Sequence, residues 1–537
     1  MAKKKREKTV EITHHSINKH KKSLQNFVQI YKSLEPWIPW IIGGLYAIVM
    51  SYLTFRYHTV GGLDVETDFY AELFPQAKKL VDGEFSPLNY SAKGPVYSIF
   101  LAAMYLFSRD YFIAAEILNL FSSAVFIAIL YNLIKNVFNS LTALIVTLIV
   151  LSNYMFQNFT YQVGSDMPFM AFCALSMYYL FKNNGISKRD IALSAFFGLL
   201  AFLTRYNGVF IVFGTVLFLA LNSSPLRERA KRITLWLGVF IVVGLPWFIP
   251  NTMATGNPVH NNNYINIMLE FYGHGPDGLQ YENWIEALPK QFTGLGDIFF
   301  YNPVYFVKKM AINIAGHFIW DMRALVQWRF SVFIFTGLIL LWFAKPSRRL
   351  LLYFSFGLIY FLILTLVFYN ARFSLFLLMF YAPLAVWPLT SDKISEKLGR
   401  LSFVPVSLLL LVTLTITFTS TRMMLDDIKY VPYFLKDMGE ALDTREPDKS
   451  KKLLARKPHA AYYAGLVPSM FPDDVQNVDQ LVAFCRKYKV DYVLYSLVEA
   501  KYRPQLQDLL NLNKKHSGLE MIYSNMFGAV YYVKPVK

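Results

Sequence analysis

The sequence has little of what soluble or disulfide-bonded proteins contain. Only 17% of its 537 residues are charged, against about 25% in a typical soluble domain. Its two cysteines, Cys173 and Cys485, lie in an apolar segment and in the polar C-terminal part, so we expect no structural disulfide. Neither a Walker phosphate loop nor a dinucleotide-binding fingerprint occurs, and therefore nothing points to a nucleotide substrate. Internal repeats, which many secondary transporters carry, are also missing.

Long apolar runs dominate what remains. Apolar residues make up 55% of the chain, and many runs approach or exceed the roughly 18 residues that indicate a membrane-spanning helix. The sequence therefore predicts a polytopic α-helical membrane protein with about eleven spans. The predicted spans are 37–55, 112–134, 140–157, 165–182, 189–204, 207–222, 232–250, 329–344, 350–369, 372–390 and 401–421.

The net charge of +17 lies mostly at the ends of these runs, and we attribute it to the positive-inside rule rather than to nucleic-acid binding. The basic clusters then share the cytoplasmic side with an uncleaved basic tail, residues 1–35. This assignment requires the apolar run 94–108 to lie on the outer surface, because counting it as a span would move every cluster outside. Residues 69–81 carry an apolar stripe at helical spacing, with a kink expected at Pro75.

The predicted organisation has three parts. After the tail comes a membrane domain, residues 36–421, with outer loops at 56–111 and 251–328. The polar part 422–537 follows on the outer side. Its strand-like runs VDYVLYS and AVYYV and its helical run VDQLVAFCRKYK predict a small α/β domain.

Three carboxylates crowd the first outer loop: Asp64, Glu66 and Asp68. Asp68 begins the apolar stripe, where it is either a helix N-cap or a general base that takes a proton from a hydroxyl group. A third interpretation is a divalent-cation site formed by all three carboxylates. Glu66 competes with Asp68 for the role of base.

Cations are predicted at the same membrane level. Lys93 precedes the surface helix, Arg205 falls in a tight outer turn, and Arg372 lies at an outer boundary. Lys93 is either a lysine reaching the lipid interface or, like the arginines, a phosphate ligand. Asp166 is also outer, and is expected to cap the following helix or to support the site. Together these residues predict a site for a lipid phosphate leaving group beside a general base.

The segments TDFYAELFPQAKKLVDGEF, KGPVYSIFLAAMYLF, GSDMPF, LTRYNG and ARFSLF resemble, in order and membrane side, the GT-C fold glycosyltransferases. The resemblance is greatest to bacterial relatives of the lipid A aminoarabinose transferase and the protein O-mannosyltransferases. It implies a GT-C-like membrane domain with juxtamembrane helices and a periplasmic C-terminal domain. It also implies that Asp68 is the catalytic residue, although the family's usual Asp-Glu pair is missing here. Lys93, Arg205 and Arg372 would then bind the donor phosphate. Asp166 and His260 would lie near the acceptor.

The resulting hypothesis is an inverting glycosyltransferase of the bacterial inner membrane, with the site on its outer face. Its partners would be a polyprenyl-phosphate-linked sugar, a lipid, glycan or protein acceptor, and membrane lipids, but no nucleic acid. A transporter or lipid flippase is the alternative, although the predicted span interiors hold few charges, with Glu116 as an exception. A scaffold that displays the C-terminal domain ranks last.

Overall fold

The structure is a computed structural model, and it describes residues 33–183, 186–273, 292–344, 346–391, 396–397, 399–401, 403–472 and 475–535. Most of the predicted basic tail therefore lies outside the described residues. Lys345 and Lys393, two of the basic residues at the ends of predicted spans, also lie outside the described residues.

The first half of the chain is helical almost throughout. Capping side chains begin several of the helices: Asp110 accepts hydrogen bonds from the backbone N–H groups of Phe112 and Ile113, and Ser187 accepts one from Asp190. The α-helices are α1 (Ile38–Tyr57), α2 (Phe74–Val81), α3 (Val96–Ser108), α4 (Tyr111–Val137), α5 (Ser140–Ser152), α6 (Tyr154–Tyr161), α7 (Asp166–Phe181), α8 (Lys188–Thr204), α9 (Val209–Ala220) and α10 (Leu226–Thr255).

The second half continues in the same way as far as the C-terminal domain. Its α-helices are α11 (Tyr264–Tyr272), α12 (Leu295–Tyr301), α13 (Pro303–Trp320), α14 (Trp328–Ala344), α15 (Arg348–Leu364), α16 (Ala371–Ser374), α17 (Leu378–Val386) and α18 (Phe403–Lys429). The outer loop predicted at 251–328 thus contains several helices. The apolar character of α13 is interrupted by Lys308 and Lys309, which is why the sequence pattern did not single it out.

Among the described residues, five helices are long and apolar enough to cross a membrane, or six if the pair α5 and α6, bent by 67°, counts as one span. The predicted count of about eleven is not confirmed. All the predicted segments are helical, but α7, α8, α9, α14 and α15 have only 12 to 17 residues. A straight helix needs about 20 residues to cross the hydrocarbon core.

The apolar stripe at 69–81 forms a helix whose first turn is wide. Residues Phe69–Leu73 are π-helical, with the N–H of Phe74 bonded to the carbonyl of Phe69. Pro75 then falls in the first turn of α2, where a missing N–H leaves no helical hydrogen bond unmade. The wide turn thus lies directly before Pro75, where the sequence predicted a kink. Phe69 and Leu73 are buried in a core shared with α3 and α4.

The C-terminal part is a small mixed sheet with helices, as the sequence predicted. Its strands are β1 (Lys452–Leu454), β2 (Val467–Ser469), β3 (Tyr492–Ser496), β4 (Leu519–Asn525) and β5 (Gly528–Val533), in the order β2-β1-β3-β5-β4. β1 pairs in parallel with β2 and β3, whereas β5 is antiparallel to β3 and β4. The α-helices of this part are α19 (Tyr433–Asp443), α20 (His459–Ala464), α21 (Val478–Lys487) and α22 (Leu497–Tyr502).

Candidate active site

Five residues predicted from the sequence meet in one chain of ion pairs. Asp68 Oδ2 lies 3.1 Å from Lys93 Nζ and 3.1 Å from Arg372 Nη1. Arg372 Nε lies 2.9 Å from Asp166 Oδ2, and Asp166 Oδ1 accepts a hydrogen bond from Arg205. The chain thus runs Lys93–Asp68–Arg372–Asp166–Arg205. Charge-assisted hydrogen bonds of this kind are about twice as strong as neutral ones.

The two carboxylates are not helix caps. Asp68 immediately precedes the π-helical turn but makes no capping hydrogen bond there. Asp166 is the first residue of α7, and the preceding Ser165 also makes no side-chain cap. The capping roles predicted for both aspartates are therefore wrong. An ion pair in a desolvated site competes successfully with the roughly 1 kcal/mol that a cap contributes.

A glycine allows the Lys93 loop to approach Arg205. A methyl group at Gly94 would lie 2.1 Å from the carbonyl oxygen of Leu203, so no larger residue fits here without moving the backbone. Leu203 lies two residues before Arg205, at the end of α8. The Tyr206 hydroxyl also donates to the carbonyl of Tyr90, at 2.9 Å. These contacts hold the loop from the first outer region against the α8–α9 turn.

The ion-pair chain is accessible to solvent at its Asp68 end and buried at its Arg205 end. The Asp68 side chain is 40% exposed, whereas the side chains of Asp166 and Arg205 are 7% and 10% exposed. A substrate from outside therefore reaches Asp68 first. Burial alone would raise the pKa of Asp68, but the charges of Lys93 and Arg372 outweigh it and hold that pKa below its usual range. Asp68 is thus ionised at neutral pH.

One donor in the chain has no partner. The Arg372 Nη2 atom is buried and makes no hydrogen bond with any described residue. A buried guanidinium donor left unpaired is costly, and a phosphate oxygen is the acceptor that an arginine suits best. Arg205 and Arg372 line a small cavity together with Tyr360 and Phe376.

Glu66 takes no part in this chain. Its carboxylate, 2% exposed, accepts hydrogen bonds from the backbone N–H groups of Gly62 and Val163, each at 2.6 Å. It also lies 3.2 Å from His58 Nε2, and His58 Nδ1 lies 2.9 Å from Glu116. Burial alone would lower the pKa of His58, but the two glutamates outweigh it and raise that pKa to about 10. This buried triad ties the acidic loop to α4.

The described residues do not fit a divalent cation. Asp64 is exposed, Glu66 is occupied by the triad, and Asp68 is paired with two cations. No group of three His, Cys, Asp or Glu side chains in the described part of the chain is placed to hold a metal ion. The interpretation in which the three carboxylates share one cation is therefore not supported.

His260 lies beside the site but outside the chain of ion pairs. Its loop contacts the Lys93 loop, since the N–H of Asn262 donates to the carbonyl of Ser91 at 2.8 Å. The Asn263 side chain donates to the carbonyl of Ala92 at 3.3 Å. His260 itself is partly exposed, and its own backbone N–H bonds Asn257.

The C-terminal domain also reaches the acidic loop, which sequence reasoning missed. Lys457 Nζ donates to Thr67 Oγ1 at 3.1 Å, and His459 Nε2 donates to the carbonyl of Gly62 at 3.2 Å. The His459 ring packs on Tyr70 with 4.0 Å between centroids. Burial lowers the pKa of His459 to about 4, so this histidine is neutral. The pairing spans nearly 400 residues of sequence, and no local pattern signals it.

Comparison with known proteins identifies the fold that carries this site. Residues 92–253 match the family described as dolichyl-phosphate-mannose-protein mannosyltransferase. The structure also resembles ArnT from Cupriavidus metallidurans bound to undecaprenyl phosphate, with a TM-score of 0.56 over 92% of this chain and 98% of that one. The chain has the GT-C fold. The predicted resemblance to GT-C glycosyltransferases is thus confirmed, and with it the enzyme class, a glycosyltransferase.

A second GT-C structure is similar over most of this chain. It is the archaeal oligosaccharyltransferase AglB from Archaeoglobus fulgidus, in complex with an inhibitory peptide and a dolichol-phosphate, with a TM-score of 0.59 over 94% of this chain and 75% of that one. Sequence identity is 12% to AglB and 11% to ArnT, so these likenesses concern the fold alone. No curated protein sequence matches the chain significantly.

Proposed function

We propose that this GT-C enzyme moves a sugar from a polyprenyl-phosphate donor to an acceptor hydroxyl group on the outer face of a bacterial inner membrane. The observation that carries the proposal is the position of Asp68, an accessible carboxylate held 3.1 Å from both Lys93 and Arg372. A base and phosphate-binding cations then adjoin one another. The carriers bound to ArnT and AglB, undecaprenyl phosphate and dolichol-phosphate, agree with this class of donor.

In the proposed reaction the acceptor oxygen attacks the anomeric carbon of the donor sugar from the face opposite the phosphate. Asp68 takes the proton of the acceptor hydroxyl group, and the bond between the anomeric carbon and the phosphate oxygen breaks. The electron pair of that bond leaves with the phosphate. Because the attack comes from the opposite face, the anomeric configuration inverts. Lys93, Arg205 and Arg372 stabilise the charge that grows on the phosphate, an electrostatic effect that is often the largest contribution to catalysis.

Donor binding would also prepare the base. Asp68 shares Lys93 with Glu72 and shares Arg372 with Asp166. A phosphate that draws on the same two cations weakens their hold on Asp68 and raises its pKa. The carboxylate becomes a stronger base when the donor arrives, which suits a general base acting near neutral pH.

The orientation rests on the ends of the helices. Asp166 begins α7, which ends beside Lys182, and Arg205 follows the end of α8, which begins with Lys188 and Arg189. The candidate site and these basic residues thus lie at opposite ends of the same helices. Under the positive-inside rule the basic ends are cytoplasmic, and the site and C-terminal domain face the periplasm.

The test is transfer of label from a polyprenyl-phosphate sugar to a cell-envelope fraction by the purified protein. We expect Asp68→Asn to lower kcat by about 10²–10⁴-fold, the usual contribution of a general base. Glu84→Gln, at an exposed carboxylate of the same region, is the matched control. Full activity in Asp68→Asn would refute the assignment of Asp68 as the base. If Asp68→Asn is active while a normally folded Glu66→Gln has lost transfer activity, the base is Glu66 instead. Uptake in proteoliposomes without any transfer product would favour a transporter.

A further inference from the structure

The C-terminal domain is docked on the acidic loop through the segment that follows β1, residues 456–459. Lys457 donates to Thr67 and His459 donates to the carbonyl of Gly62. Leu63 of the loop packs into the hydrophobic core of the C-terminal domain. The loop that presents Asp68 is therefore also part of the surface of this domain, and Lys457 lies beside the residue that precedes the proposed base.

Lys457 brings a positive charge that feels Asp64 and Asp68 at a distance but forms an ion pair with neither. It is half-buried, and among the described residues its one hydrogen-bond partner is the neutral Thr67 hydroxyl group. It forms no ion pair there, in contrast to Lys93, which contacts two carboxylates. Burial lowers the pKa of Lys457, as expected for a partly desolvated ammonium group. A partly desolvated cation that makes no direct ion pair is suited to bind an anionic group.

The place of Lys457 distinguishes it from the donor-phosphate ligands. Lys93 and Arg372 both contact the Oδ2 atom of Asp68, whereas Lys457 contacts the preceding residue, Thr67, and shares no partner with them. An acceptor must bring its hydroxyl group within hydrogen-bond distance of the base. A cation beside the base but apart from the donor cations therefore suits the acceptor.

We propose that Lys457 forms an acceptor subsite that binds an anionic oxygen group, a phosphate or a carboxylate, close to the hydroxyl group that receives the sugar. The proposal rests on the proposed function, since it places an acceptor beside Asp68. It deepens that function in two ways: it gives the acceptor a chemical class, and it gives the C-terminal domain a direct part in substrate binding. No covalent step involves Lys457, which orients the acceptor by charge and hydrogen bonding.

The test compares Lys457→Gln and Lys457→Arg with the native protein in the transfer assay. The acceptor probe is the native cell-envelope fraction, and the donor probe is undecaprenyl phosphate, whose binding is followed by native mass spectrometry. We expect Lys457→Gln to raise the apparent KM for the envelope fraction about ten-fold, the effect of one charged hydrogen bond. Lys457→Arg should restore most of the loss. Binding of undecaprenyl phosphate should be unchanged in both variants.

The control is Lys452→Gln, on β1 of the same domain, where the one hydrogen-bond partner of the ammonium group among the described residues is the carbonyl of Tyr488. Two treatments of the envelope fraction distinguish the recognised groups: phosphatase removes phosphates, and methyl esterification neutralises carboxylates. The treatment that removes the recognised group should abolish the difference in KM between Lys457→Gln and the native protein. An unchanged KM in a folded Lys457→Gln, or an equal loss of undecaprenyl phosphate binding, overturns the acceptor subsite alone. Absence of transfer by the native protein overturns the proposed function and the subsite together.

Discussion

Replacement of His58 by glutamine tests the buried triad that fixes the acidic loop. The histidine lies between Glu66 and Glu116, and its side chain is fully buried. Glutamine retains a hydrogen-bonding group of similar size but removes the charge. Two buried carboxylates then remain without a cation, and removing one partner of a buried ion pair typically costs about 3–5 kcal/mol.

The pKa gives an independent magnitude. The pKa of His58 is raised from 6.5 to about 10 by its two carboxylate partners, in spite of its burial. This difference between the folded and unfolded chain corresponds to roughly 5 kcal/mol of stability, since one pKa unit is about 1.4 kcal/mol. The two approaches agree. For a chain of this length the unfolding entropy is about 1 kcal/mol per kelvin, so the midpoint of unfolding should fall by roughly 3–5 °C.

The contribution depends on pH with a defined sign. Because the pKa is higher in the folded chain, protonated His58 stabilises the fold fully below pH 6.5 and loses this effect as the pH rises to about 10. The native protein and His58→Gln should thus differ most near pH 6 and converge towards pH 10. The assay is thermal unfolding in detergent, followed by tryptophan fluorescence at several pH values.

The control is His516→Gln. This histidine bonds the backbone carbonyl of Asp508 in the C-terminal domain, lies edge-on to Tyr531, and forms no ion pair with a described residue. Its replacement should leave the midpoint almost unchanged at every pH. A difference between His58→Gln and the native protein that stays constant from pH 6 to pH 10 would contradict the charged triad. So would an unfolding midpoint equal to that of the native protein at pH 6.

Three further predictions concern the ion-pair chain and its surroundings. Asp166→Asn leaves two buried arginines with a neutral partner, and should lower the free energy of unfolding by about 3–5 kcal/mol, measured by chemical denaturation in detergent. Asp321→Asn should cost far less at pH 7, since burial raises the pKa of Asp321 to about 7. Because asparagine does not titrate, the variant should also escape the loss of stability that the native protein shows as the pH rises from 3.8 to about 7. Equal losses in both variants would contradict this contrast. Gly94→Ala should displace the Lys93 loop, because its methyl group would lie 2.1 Å from the Leu203 carbonyl oxygen. The variant should therefore bind undecaprenyl phosphate more weakly in native mass spectrometry. Gly44→Ala, which has open space around it, is the control, and equal binding by both variants would refute the effect.

Composition and order along the chain were enough to predict the fold class and the members of the ion-pair chain. Apolar runs predicted the positions of the helices, because a membrane-spanning helix requires a run of about 20 predominantly apolar residues. The predicted topology then placed five charged residues on the same side of the membrane, and charged groups at one end of a helical bundle tend to pair with one another. These are Asp68, Lys93, Asp166, Arg205 and Arg372. The structure brings these five together in one connected set.

Pairings between distant segments could not be predicted in the same way. Glu66 accepts a hydrogen bond from the backbone N–H of Val163, and His58 joins it to Glu116 of α4. The partners of the Gly62 carbonyl and of Thr67 come from the C-terminal domain. Local rules were misleading where a tertiary contact competed with them, as with the caps expected at Asp68 and Asp166. Glu116 did carry a usable signal, because a lone charge inside an apolar run requires a buried partner.

The order of charges along the ion-pair chain accounts for the different roles of its two aspartates. Asp166 sits between two buried arginines, so its charge is needed to keep both guanidinium groups in place before any donor binds. Asp68 sits at the open end, where one of its cations, Lys93, also contacts Glu72. An arriving phosphate can therefore draw on Lys93 and on the unpartnered Nη2 atom of Arg372 without leaving any carboxylate buried and unpaired. In the proposed reaction the buried end of the chain stays assembled while the open end exchanges partners, which is why we propose Asp68 rather than Asp166 as the base.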